Sequence, residues 1–190
     1  MKKILSCFLT LVLLTGRNST PSGANSSGGI TITNPINLET KTPDMSGYEW
    51  MNDSSPAFVE ISCDEELRMF SEKGTGLVVM GYPGCAFCQR ALPELNIVAK
   101  EMGITVYYVN VSEGLTEENY AQLCEELKGI FPDGSLQVPE VLAIKDGVIV
   151  ENHLSLVSDY QLSEETPQMN DDQKKELQDI YREMIQSIAD

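Results

Sequence analysis

The sequence predicts an α/β fold of three layers, in which a mixed central sheet lies between two helical faces. Three observations carry that expectation. Two apolar runs of strand length, LVVMGY (77–82) and ITVYYVNV (104–111), flank a stretch of helical spacing. Strand, helix, strand implies a crossover and hence parallel pairing. Two further strand-like runs, VPEVLAI and VIVENHL, are joined by Lys145-Asp146-Gly147, the signature of a hairpin and therefore of an antiparallel pair. A chain of 190 residues that is 42% hydrophobic has room for one domain with a sizeable core and for some non-globular sequence.

Residues 1–24 read as a signal peptide. Lys2 and Lys3 precede an apolar run from Ile4 to Leu14, too short to span a bilayer as a stable helix, and Ser22-Gly23-Ala24 offers small residues for cleavage. Leu14-Thr15-Gly16 is how a lipoprotein processing site begins, but Arg17 stands where the lipid-accepting cysteine would follow. The sequence leaves open whether the chain carries no lipid or position 17 has been altered. Cys7 lies inside the apolar run and would leave with the signal. An exported bacterial protein acting outside the cytoplasm is expected.

Residues 25–56 are rich in Ser, Thr, Asn, Gly and Pro without an apolar period, and read as a flexible tether holding the domain of residues 57–190 away from a membrane. Trp50, the only tryptophan, is expected to pack back on that domain. A chain cut after Ala24 keeps 10 basic against 29 acidic residues, a net charge of −19. Nucleic acid and anionic lipid would be repelled, so neither is expected as a partner. A solvated acidic surface explains the charge, and a basic client would also suit it.

From Ala57 the pattern is regular. AFVEIS reads as a short strand, and Ser62 with Glu65 forms a capping box opening the helix DEELRMFSEK, which Gly74 to Gly76 end. LVVMGY has no charge and suits a central strand covered on both faces. Ala91, Leu92, Leu95, Val98, Ala99 and Met102 recur at helical spacing up to Gly103, and ITVYYVNV follows as a buried strand. Thr116 caps a helix running to about Gly129. After the hairpin, Asn170 and Gln173 cap a last helix whose Leu177, Ile180, Tyr181, Met184, Ile185 and Ile188 form one apolar stripe. The predicted order is β-α-β-α-β-α-β-β-α.

Cys85 and Cys88 follow Tyr82-Pro83-Gly84, where the central strand gives way to a helix. A helix start presents free N–H groups and the positive end of the macrodipole, and both stabilise a thiolate. In such a place a thiol of pKa about 8.5 falls to between about 3.5 and 7.5. Cys88 lies one turn further in and is more sheltered, so Cys85 is expected to attack and Cys88 to resolve the mixed disulfide. The alternatives are a static disulfide or half a zinc site. Zinc would need two more ligands, for which His153, Cys63 and Cys124 are the soft candidates. No metal and no cofactor beyond the cysteine pair are expected.

The stretch GYPGCAFCQRALPEL resembles the active site of the thioredoxin-fold thiol–disulfide oxidoreductases. It has a CxxC at the strand-to-helix junction and Pro93 eight residues after Cys85, where that family kinks its helix. The resemblance extends to Val138-Pro139 and EVLAIKDGVIV, similar to the family's cis-proline segment and final hairpin. It covers about Ala57 to Val150, with the C-terminal helix completing a thioredoxin-like fold. It implies a cis Val138-Pro139 bond, with the Val138 backbone pairing to an extended substrate beside Cys85. It implies client proteins with cysteines or disulfides, a membrane electron donor or acceptor, and a monomer. More softly, the glycine before Cys85 and the acidic helices resemble bacteriocin-transport accessory proteins of Gram-positive bacteria. The competing class is a non-catalytic accessory or binding module for a secreted peptide or bacteriocin.

Several positions depart from the family pattern. Pro83-Gly84 replace tryptophan before the pair, Ala86-Phe87 replace Gly-Pro or a histidine within it, and Val79 stands where a buried aspartate would. The direction of electron flow is therefore open. Tyr82 and Phe87 suit an apolar rim for a client or a cover for the core edge. Glu140 either brings negative charge near Cys85, raising its pKa, or points into solvent. Cys63 and Cys124 are expected as free thiols, with a structural disulfide the alternative. His153 is expected at the surface.

Overall fold

A computed structural model describes residues 30–131, 133–165 and 167–190. The expected signal peptide, Cys7, Arg17 and the first residues of the expected tether lie outside the described residues. The nine elements are β1 (Phe58–Glu60), α1 (Cys63–Ser71), β2 (Gly76–Gly81), α2 (Cys88–Met102), β3 (Val106–Asn110), α3 (Glu117–Glu126), β4 (Glu140–Lys145), β5 (Val148–Leu154) and α4 (Asp171–Ser187). They follow the predicted order, and the chain is an α/β protein with an open mixed sheet. No described helix is long and apolar enough to cross a membrane.

The strands run β1-β3-β2-β4-β5 across the sheet. β3 pairs parallel with β1 and β2, whereas β4 is antiparallel to β2 and β5 antiparallel to β4. β2 is central, and all six of its residues are buried, which is why its sequence is an unbroken apolar run. Alternation divides that run between two cores. Leu77 and Val79 join Val141, Ala143, Leu92, Leu95, Leu177 and Tyr181 beneath α2 and α4. Val78 and Met80 join Leu142, Ile144, Met69 and Leu123 beneath α1 and α3. Each such aliphatic side chain contributes about 1.5–3 kcal/mol on full burial.

Local chemistry sets the element ends. The Ser62 hydroxyl accepts from Glu65 N–H at 3.2 Å, but only this half of the expected box forms. The Glu65 carboxylate instead accepts from Glu39 N–H and pairs with Arg68. Thr116 with Asn119, and Asn170 with Gln173, form complete capping boxes. Gly103 ends α2 at φ 72°, a left-handed conformation that costs glycine little. In the hairpin, Asp146 and Gly147 both have positive φ, 53° and 78°, as a type I′ turn requires.

The tether expected over residues 25–56 differs from the structure, because from Ile30 onward the chain lies on the domain. Leu38, Met45 and Tyr48 are buried, the first in the α1/α3 core and the other two in the α2/α4 core. Lys41 and Glu60 exchange backbone hydrogen bonds of 2.9 and 2.8 Å, covering the outer edge of β1. Ile30 N–H donates to the Met102 carbonyl and Asp190 N–H to that of Thr31, fixing the segment at the end of α2 and at the C-terminus. The physical reason is burial: these isolated apolar residues have no period, yet each finds a gap in the core.

Candidate functional site

β2 ends at Gly81, the chain turns through Tyr82-Pro83-Gly84, and α2 begins at Cys88. Cys85 N–H donates to the Tyr82 carbonyl and Gln89 N–H to that of Cys85, so the turn feeds directly into the helix. The sulfurs of Cys85 and Cys88 lie at disulfide distance, with their Cα atoms 5.1 Å apart. Cys88 N–H points at Cys85 Sγ, 3.0 Å away. Cys88 is fully buried, while Cys85 keeps 7% of its surface and is flanked by exposed Gly84, Ala86 and Phe87. The outer and inner sulfurs are thus unequal in access, as their spacing predicts.

The first turn of α2 carries no acidic residue, whereas α1, α3 and α4 each open with two or three. In so acidic a chain this leaves, among the described helices, one start whose positive potential is uncancelled by side chains in its first turn, and it is the one beside Cys85.

The Val138-Pro139 bond is cis, and the Val138 carbonyl oxygen stands 3.7 Å from Cys85 Sγ. The structure therefore brings Cys85, Cys88 and Val138 together, with buried Pro139 leading into β4. Tyr82 is half-buried against the core, and Phe87 is exposed beside the pair. Pro93 is buried within α2.

Three residues that sequence reasoning did not single out support this loop. The Gln89 side-chain amide donates to the carbonyls of Gly47 (2.7 Å) and Pro83 (2.5 Å), and its oxygen accepts from Glu49 N–H (2.6 Å). It thereby ties the N-terminal segment to the turn before Cys85. Tyr48, from the same segment, meets Tyr108 of β3 in a buried hydroxyl–hydroxyl contact of 3.0 Å. Nothing in their sequence context marks these residues, since, Pro83 apart, their partners are 40 to 60 positions away.

Trp50 packs as expected, with the Arg90 guanidinium 4.6 Å above its ring. Arg90 is itself buried and donates to Tyr160 Oη, the Pro167 carbonyl and the Ala86 carbonyl, the last within the CxxC.

Glu140 does not point into solvent. It is fully buried, alternates with Leu142 and Ile144 toward the α1/α3 face, and accepts from Asn152 Nδ2 at 2.8 Å. Burial pushes its carboxyl up to about 7, against the opposing pull of Asn152. His153 is half-buried at the edge of the domain, its ring edge-on to Tyr181, and burial lowers its pKa. β5 turns it toward α4, which sequence spacing alone did not show. Cys63 and Cys124 are free thiols, and burial with Glu66 and Asp64 nearby pushes Cys63 up to about 12, where it is unreactive. Among the described residues no cluster of three or more His, Cys, Asp or Glu could hold a metal ion.

No protein-family model matches the sequence, and a search of curated proteins returned no match.

Proposed function

We propose that this protein is an exported thiol–disulfide oxidoreductase with a thioredoxin-like fold, exchanging disulfides with client proteins through Cys85 and Cys88. The supporting observation is the pair's setting: two sulfurs at disulfide distance at a strand-to-helix turn, the outer one beside the Val138 carbonyl and the inner one sealed from water. In the reducing direction the Cys85 thiolate attacks one sulfur of a client disulfide, and the other client sulfur leaves with the bonding electron pair. Cys88 then attacks Cys85, closing the internal disulfide and releasing the client as a dithiol. In the oxidising direction the same steps run backwards. Beside Cys85, Val138 offers backbone to an extended client, and Tyr82 and Phe87 offer apolar contact. Tethering to a Gram-positive membrane and exchange with a membrane electron carrier belong to the same proposal.

The first test is equilibration in glutathione buffers followed by acid trapping. A reduction potential below about −250 mV assigns a reductase and one above about −180 mV an oxidant of exported proteins. Cys85→Ser is expected to abolish exchange, and Cys88→Ser to trap covalent client complexes. A pair that fails to exchange, with both variants retaining function, would replace this reading with a non-catalytic binding module.

A further inference from the structure

Along α2, Arg90, Pro93, Glu94, Ile97 and Lys100 recur at the spacing that puts residues on one face of a helix. That face floors an open groove of about 450 Å³, walled by Trp50 and Asp53 of the N-terminal segment and by Gln168 and Lys174 at the start of α4. From Arg90 to Lys100 the floor is about 15 Å long, a span that four to five residues of extended chain would fill.

The charge of the groove runs against that of the chain. Three cationic side chains line it, Arg90, Lys100 and Lys174, against two acidic ones, Asp53 and Glu94, in a protein of net charge −16. A second groove, beside Glu60 and Asn110 at the ends of β1 and β3, has the contrary balance, with Glu39, Glu60 and Glu113 against Lys41.

The surplus cation is Arg90. Lys100 is neutralised by Asp53 at 2.5 Å, and Glu94 accepts from Gln178 and stands 3.9 Å from Lys174. Arg68 and Arg182 each pair with two carboxylates. Arg90 is buried, and its Nε and Nη1 donate only to neutral oxygens, those of Tyr160, Pro167 and Ala86. No described group accepts from Nη2. A buried cation without a counter-ion is costly, so an anion that reaches it gains a strong, charge-assisted bond. Lys174, loosely paired with a carboxylate one helical turn from Arg90, supplies a second ammonium donor.

Apolar surface continues from the cation. Pro93 and Ile97 follow on the floor, Ile97 with 49% of its surface exposed, and the half-buried Trp50 ring lies 4.6 Å from the guanidinium. The lining from α2 begins at Arg90, whose other nitrogens are covered by Ala86, Tyr160 and Pro167, so a chain lying in the groove ends there.

We propose that this groove binds the C-terminal end of an extended apolar peptide, its terminal carboxylate on Arg90 and Lys174 and its apolar side chains on Pro93, Ile97 and Trp50. Binding there involves no thiol chemistry and stands apart from the redox reading.

Trp50 is the only tryptophan and serves as the reporter. The full chain, with its cysteines oxidised, is titrated with acetyl-Ala-Ala-Leu-Leu as the free acid and as the C-terminal amide while Trp50 emission is followed. The free acid is expected to give a saturable change, and the amide to bind about tenfold more weakly or worse. Arg90→Gln should make acid and amide bind alike. Because Arg90 also braces the loop at Ala86, Lys174→Gln, at a partly exposed position, gives the independent reading: about fivefold weaker binding of the acid with the amide unchanged. Ile97→Asp should weaken both peptides. Equal binding of acid and amide by the wild type, or no binding of either, overturns the proposal. So does acetyl-Ala-Glu-Leu-Leu amide binding as tightly as the free acid, since a side-chain carboxylate would then suffice. N-acetyl-leucine binding as tightly as the tetrapeptide would give the groove to a small acid, and self-association of the wild type that Ile97→Asp abolishes would give it to a second copy; either result overturns the proposal.

Discussion

Glu66 sits on the inward face of α1, fully buried, and neither of its carboxylate oxygens has a hydrogen-bond partner. Burial pushes its pKa up to about 8 from an ordinary 4.5. The native state therefore holds a proton that the unfolded chain has released, so the contribution of Glu66 to stability is greatest below about 4.5 and falls as pH rises to about 8. Glu66→Gln removes that ionisation. Urea midpoints should fall between mildly acidic and alkaline buffer for the wild type and fall less steeply for the variant. Equal slopes would mean that Glu66 does not titrate in the native state. The position was legible, since Glu66 stands three residues from both Cys63 and Met69 on the helix stripe, but a charged residue type concealed it. The closeness of Cys85 and Cys88 was legible for the opposite reason: it depends on local sequence, the turn and the first helical residues. Tyr48 was not, because its role comes from contacts across the fold.

At the scale of the element, the run of strands and helices was read correctly because each carries its own signal in period, cap or turn. The limits were set by competition between partners. Ser62 caps α1 alone because Glu65 finds Arg68 and the Glu39 N–H instead. β5 read only as the second arm of a hairpin, and whether His153 faced in or out depended on α4, packed from far along the chain. The hairpin turn gives a sharp test. Gly147 has φ 78°, and a Cβ there would come within 2.6 Å of the Phe70 carbonyl oxygen. Gly147→Ala should cost about 2 kcal/mol or more in urea unfolding followed by Trp50 fluorescence. Gly129 faces open space without positive φ, so Gly129→Ala should stay within about 0.5 kcal/mol of wild type. Similar losses in both would remove the steric explanation.

For the whole molecule, the N-terminal segment changes the domain boundary. Composition made it look like a tether, because Ser, Thr, Asn, Gly and Pro dominate and its apolar residues have no period. Burial of Leu38, Met45 and Tyr48 makes it part of the core. Native trypsin should therefore spare Lys41 despite its exposed side chain, since cleavage needs a stretch of chain pulled free of its partners. Met45→Ala, at an expected cost of about 2–5 kcal/mol, should make Lys41 cleavable. Rapid cutting at Lys41 in the wild type would restore the flexible reading.

The attachment of Ile30 to Met102 also fixes an orientation. α2 runs from Cys88 to Met102 over 15 residues, about 22 Å of helix. The chain enters the domain at one pole and the cysteines stand at the other. Anything holding the protein by residues before Ile30 would aim the disulfide outward, like a lamp on a stalk, toward what passes the surface and away from the surface itself. Protein coupled to a bead through its N-terminus should consequently react with dithiobis(nitrobenzoate) as fast as free protein.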